Sequence, residues 1–196
     1  MKTKTKNIDR YRYVVHHHIW TVSNLFSFSR VPATGAFIYL DYFHAVSNYV
    51  LVGIVVYTIV SDMLDGWLAR YLDQITEAGK VLDPIADKIT AALLFSYAVF
   101  IQAIPWEVLV FSLVRDFSIS AGSLYIRRDR GKVPMSVMSG KITVNVMALY
   151  WVAAFFFPQY ETVVSVLMWS SVAVMLYSWY DYGRRFYLIK QGAEFN

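Results

Sequence analysis

Six apolar stretches follow one another along the chain, separated by short polar breaks. A helix needs about 20 apolar residues to cross the hydrocarbon core of a bilayer. In lipid the backbone must satisfy its own hydrogen bonds, so stretches of this kind fold as helices. They read as Leu25–Tyr42, Ser47–Tyr71, Pro84–Ala103, Pro105–Arg127, Lys141–Phe157 and Glu161–Phe186. The first is interrupted by Pro32 and Gly35 and reads as short. With 57% hydrophobic residues in 196, the chain is too apolar for an ordinary soluble domain. The expectation is an all-α integral membrane bundle of six transmembrane helices, forming one membrane-embedded domain over residues 1–196. Residues 1–24 read as a cytosolic and interfacial arm, in which Tyr11, Tyr13 and Trp20 lie at headgroup level beside Arg10 and Arg12. No signal-peptide pattern is expected in it. There is no cysteine, which excludes disulfides and thiolate metal sites.

Charge orients this bundle. The loops after the first, third and fifth stretches carry no Lys or Arg, only the acids Asp41, Glu107 and Glu161. Apart from Arg115, the 18 basic residues fall on the arm, the other loops, the tail, or near those ends of the stretches. Basic loops stay in the cytosol. Both termini and the loops after stretches two and four are therefore expected on that side. Lys2, Lys4 and Lys6, and likewise Arg127, Arg128, Arg130 and Lys132, read as charge facing anionic lipid, with no nucleic-acid partner expected. His16, His17 and His18 point in different directions on a helix and read as surface residues.

Against this background "SDMLDGWLARYLDQITEAGKVLDPIADKI" (residues 61–89) places four aspartates where the second and third stretches meet. At about 100° per residue, Asp62, Asp65, Gly66 and Ala69 share one narrow stripe. Asp83 and Asp87, four apart, share a face. Asp62 lies roughly 22 Å into its stretch at about 1.5 Å per residue, below the headgroups. Leu72 to Leu82 reads as the polar closure of a helical hairpin that turns the two acid pairs toward each other. Buried carboxylates each cost several kcal/mol unless compensated, so divalent metal is the expected partner. All-oxygen ligation suits Mg²⁺, Mn²⁺ or Ca²⁺, not zinc. Two such ions can clamp a diphosphate while one carboxylate takes a proton. Gly66 and Ala69 let a large ligand approach the backbone, and Arg70 can meet phosphate. A plainer reading exists for Asp83, as an N-cap before a first-turn Pro84. It leaves Asp87 unexplained. Gly79 also fits a turn, and Asp73 and Glu77 read as solvated loop acids.

The spacing D-x2-D-G-x2-A-R-x8-G-x3-D-x3-D resembles the signature of the CDP-alcohol phosphotransferase family. Asp62, Asp65, Gly66, Ala69, Arg70, Gly79, Asp83 and Asp87 fill every position. The resemblance implies transfer of a phosphatidyl group from CDP-diacylglycerol to an alcohol, with CMP leaving. It implies Asp62, Asp65 and Asp83 as ligands of Mg²⁺ or Mn²⁺, and Asp87 as the base that also touches metal. It places Gly66, Ala69, Arg70 and Gly79 at the CDP-lipid site. "NLFSFSR" resembles an opening N-x2-T-x2-R, with Asn24 and Arg30 kept and Ser27 in place of Thr, and adds Asn24 to that site. The family also implies a homodimer.

"KVLDPIADKI" looks like phosphatidylglycerophosphate synthases and like eukaryote-type cardiolipin synthases. "SGKITVN" departs from a GKxKT element at Thr143, and "VRDFSI" has Asp116 where Glu is more frequent in the glycerophosphate enzymes. The acceptor is read as glycerol 3-phosphate, with phosphatidylglycerol as the alternative. Arg30, Arg115 and Lys141 are the expected acceptor-binding cations. Arg115 falls near mid-membrane, where a charge should face the interior and have a partner. The three cations serve either a phosphorylated acceptor or the balance of the four aspartates. A cation transporter is the reading from another class, since intramembrane acids mark ion paths. It calls for acids at the midplane of broken helices in repeated halves, and no repeat is visible.

Overall fold

In the computed structural model, residues 22–71, 77–130 and 137–192 are described, with side chains over 25–64, 71, 85–128 and 137–192. Six helices follow in order: α1 (Val22–His44), α2 (Asn48–Tyr71), α3 (Glu77–Phe100), α4 (Trp106–Arg130), α5 (Met138–Phe156) and α6 (Glu161–Lys190). There is no strand among the described residues. The molecule is an all-α membrane protein. Among the described residues, three helices are long and apolar enough to cross a bilayer: Trp106–Arg128, Met138–Phe156 and Glu161–Lys190. In α2 the described side chains form an apolar run over Asn48–Leu64. The expected interfacial arm and the three adjacent histidines lie outside the described residues.

Two boundaries differ from the sequence reading. α1 runs without a break through Pro32. Proline removes one backbone donor, and membrane helices accommodate this when neighbours satisfy the freed groups. α3 begins at Glu77, well before Pro84. Asp83 and Gly79 are therefore on helical backbone rather than at an N-cap and in a turn. Pro84 lies in the interior of α3, not in its first turn.

The chain divides into two compact units, Met1–Leu94 and Phe95–Asn196. In the first, α1 packs on α2. The buried face of α1 steps through Ser27, Arg30, Thr34 and Phe37, and α2 contributes Leu51 and Ser61. Small polar residues let membrane helices approach closely. Their hydroxyls turn back onto the helix, with Thr34 Oγ1 donating to the Arg30 carbonyl at 2.8 Å and Ser61 Oγ to Thr58 at 2.9 Å. Ser29 Oγ and Tyr57 Oη bridge the pair at 2.8 Å.

In the second unit α6 packs against both α5 and α4. Ser139, Thr143, Met147, Tyr150 and Ala154 on α5 face Ser171, Met175, Ser178 and Tyr182 on α6, all buried. The spacing of three and four is that of interlocking antiparallel helices. Thr143 Oγ1 donates to the Ser139 carbonyl of its own helix at 2.9 Å and also lies 3.2 Å from the Val174 carbonyl across the pair. Large apolar side chains such as Phe117, Leu149, Val166 and Trp169 lie exposed on the outer faces, where lipid is their solvent.

Candidate active site

The centre of the first unit is a buried cation. Arg30, on α1, is only 3% exposed. Its Nη1 donates to Asp62 Oδ1 of α2 at 2.7 Å, and to Asp87 Oδ1 of α3. Three helices thus meet at one nitrogen. The two carboxylates are about half exposed, 56% and 51%, so each stays accessible while it pairs with the buried guanidinium. A charge as deeply placed as Arg30 needs such partners.

Local sequence accounts for each position. Arg30 follows Ser27 by three residues and precedes Thr34 by four, so it lies in the α1 seam that faces α2. Asp62 follows Ser61, the last buried residue before the acid stripe. Asp87 follows buried Ala86, where α3 is still polar enough to face water.

Asp65 lies three residues on from Asp62 along α2, and Asp83 four residues before Asp87 along α3. Both are on helical backbone. Their side chains, and those of Asn24, Gly66, Ala69, Arg70 and Gly79, lie outside the described residues. Among the described residues no group of three or more His, Asp or Glu side chains forms a metal-binding cluster. The residues present do fit a divalent cation. Two carboxylate oxygens that reach one nitrogen are close enough to share one ion, and an all-oxygen donor set suits Mg²⁺ or Mn²⁺.

The other two expected cations belong to the second unit. Arg115 is 6% exposed and already engaged, with Nη1 donating to Asp116 Oδ1 and Nη2 to Ser178 Oγ, both at 2.6 Å. Its charge is balanced by the adjacent Asp116, a partner the sequence reading had not considered. Lys141 lies in the first turn of α5 and is exposed.

Beside Lys141 is a polar junction that the sequence did not reveal. Ser139 Oγ donates to Asp181 Oδ2 at 2.7 Å, and the Val137 N–H donates to Tyr182 Oη at 3.1 Å. The start of α5 lacks a side-chain cap of its own, so Tyr182 of α6 accepts one of its free N–H groups. Asp181 was the available signal, an acid inside an otherwise apolar stretch.

Paired acids around a buried arginine in a membrane-embedded helical protein mark a site for charged chemistry at the membrane. The family model described as CDP-alcohol phosphatidyltransferase matches residues 20–177, and the chain belongs to that family. It is a transferase of phospholipid biosynthesis that moves a phosphatidyl group out of a CDP-linked lipid. This sets aside the transporter reading.

The chain is similar to the CDP-diacylglycerol–glycerol-3-phosphate 3-phosphatidyltransferase of Aquifex aeolicus, with 31% identity over 169 residues, covering 82% of this chain and 93% of that protein. It is similar to the cardiolipin synthase (CMP-forming) of Rattus norvegicus, 25% identical over 193 residues, covering 85% of this chain but 62% of the relative. A second CDP-diacylglycerol–glycerol-3-phosphate 3-phosphatidyltransferase, from Bacillus subtilis, is 37% identical over 95 residues, 47% of this chain and 48% of that protein. The family uses divalent metals in general, and its acceptors are alcohols.

Proposed function

We propose that the protein transfers the phosphatidyl group of CDP-diacylglycerol to glycerol 3-phosphate, giving phosphatidylglycerophosphate and CMP. The observation that carries this reading is the convergence of Asp62 and Asp87 on Arg30. Asp62 and Asp87 are the first and last positions of the eight-position motif, one on α2 and one on α3. The Aquifex relative, matched over nearly its whole length, supports glycerol 3-phosphate as acceptor.

Asp62, Asp65, Asp83 and Asp87 would hold Mg²⁺ or Mn²⁺, which when bound neutralises the diphosphate and the departing CMP phosphate. The chain's own groups do the rest. Asp87 accepts the proton of the acceptor hydroxyl as its oxygen bonds to the phosphorus that carries the diacylglycerol. The bond from that phosphorus to the CMP oxygen breaks, and CMP departs with the electron pair. Arg30 holds Asp62 and Asp87 in register with each other. Asn24, Gly66, Ala69, Arg70 and Gly79 form the CDP-lipid site. Arg30, Arg115 and Lys141 are the cations proposed for the acceptor phosphate. We place both termini and the reaction centre on the cytosolic side, in a six-span single domain acting as a homodimer.

Phosphatidylglycerol as acceptor is the second reading, favoured by similarity to the rat cardiolipin synthase and by the Asp116 and Thr143 departures. One panel separates them: purified protein with CDP-diacylglycerol and either glycerol 3-phosphate or phosphatidylglycerol. CMP release with glycerol 3-phosphate alone is the expected result. Release with phosphatidylglycerol alone would replace this reading with the second.

A further inference from the structure

The C-terminal ends of α4 and α6 carry a groove that the transfer chemistry leaves unused. Gly122, Tyr125 and Ile126 of α4 and Phe186, Ile189 and Lys190 of α6 line it, around a cavity of about 190 Å³. Gly122 admits one wall of it, the Phe186 ring. A Cβ there would lie 2.3 Å from the Phe186 ring, so the ring occupies the space a side chain would need. The floor is apolar, with Ile126 and Ile189 buried.

The mouth has a different character. Tyr125 is exposed there, and Lys190 belongs to the last turn of α6. Arg127, Arg128 and Arg130 close α4 with one acid, Asp129, among them, Arg184 and Arg185 stand one to two turns before Lys190 on α6, and the opposite ends of these helices carry Glu107 and Glu161 instead. Asp181, the nearest acid of α6, accepts a hydrogen bond from Ser139. Helix C-termini are themselves slightly negative, so the attraction for an anion comes from these side chains. The groove also lies toward the basic ends of two helices long and apolar enough to cross a bilayer. Tyrosine beside Lys and Arg is typical of the level where hydrocarbon meets headgroup.

We infer that this groove binds one anionic phospholipid of the surrounding membrane. An acyl chain lies along Gly122, Ile126 and Ile189, and the headgroup phosphate sits against Lys190 and the neighbouring arginines. Basic pockets between membrane helices select anionic headgroups over zwitterionic ones. A second copy of the chain suits the mouth less well, since a two-fold axis there would set the cationic cluster against its own image.

Lipid retention by the purified full chain tests this, read by native mass spectrometry. The probes are phosphatidylserine and phosphatidylcholine of equal chain length, neither of them donor or acceptor in the proposed reaction. The wild type should retain phosphatidylserine preferentially. Lys190→Gln with Arg128→Gln should weaken that retention by about fivefold per charge removed, the usual weight of one basic residue at an anionic surface. Ile126→Trp, which fills the groove, should lower it while leaving CMP release unchanged. A phosphatidylserine analogue with a photoreactive acyl chain gives a readout on the unaltered protein. Its crosslinks should fall within residues 122–128 and 186–190. Equal retention of the two lipids, or crosslinks elsewhere, would overturn the inference. So would variants that change oligomeric mass but not lipid retention, which would make the groove a protein interface.

Discussion

Arg30 lies in the buried seam of α1, yet its charge is shared by carboxylates from two other helices. The sequence exposed each member separately, Arg30 through its spacing from Asn24 and the aspartates through theirs. It offered balance of the aspartates as one of two roles for Arg30, but not which acids meet it, which depends on how α1 is rotated against α2 and α3. Nor did it pair Arg115 with Asp116, because adjacent residues on a helix usually point apart. Truncating Arg30 leaves two acids without their shared cation. The half-exposed carboxylates recover some hydration, so the cost falls below the 3–5 kcal/mol of a fully buried pair. Arg30→Ala should lose about 1–3 kcal/mol of stability. Thermal unfolding in detergent measures this, and wild-type stability would show that the ion pairs contribute nothing to the fold.

The helices were legible from hydropathy alone, since each apolar stretch became one helix. Their ends were less so. The polar run before Pro84 looks like loop by composition, but α3 begins at Glu77. α1 continues through Pro32 for a related reason: local breakers yield where the rest of a helix is strongly favoured. Packing between helices was not legible, and α5 with α6 shows why. A Cβ at Gly140 would lie 2.9 Å from Tyr182 Oη, and that hydroxyl accepts the Val137 N–H. Nothing in "SGKITVN" reports a tyrosine 42 residues further on. Gly140→Val should push Tyr182 aside and destabilise the pair by about 1–3 kcal/mol, the scale of overpacking. Tyr182→Phe keeps the ring and loses only the hydrogen bond, so it should cost less, about 0.6 kcal/mol. Equal losses in the two variants would contradict this account of the junction.

At the scale of the molecule, the reaction class was readable because the motif is contiguous and complete, whereas the acceptor was not. The acceptor depends on cations spread over several helices, and their distances are set by packing. Metal dependence belongs to this scale too, since the proposed ligands come from two helices. Excess chelator should stop transfer without changing helix content by circular dichroism, and Mg²⁺ or Mn²⁺ should restore it. Full activity in excess chelator would show that the carboxylates act without metal. The most direct test of the whole account is the Asp87→Asn variant, with CMP release and CDP-diacylglycerol affinity measured on one folded preparation. Asparagine keeps the size of the side chain but cannot take the hydroxyl proton. The account predicts a fall in kcat of about 10²-fold or more, the scale of a lost general base, with donor affinity reduced far less. A near-normal kcat, or a loss of donor binding as large as the loss of rate, would contradict it.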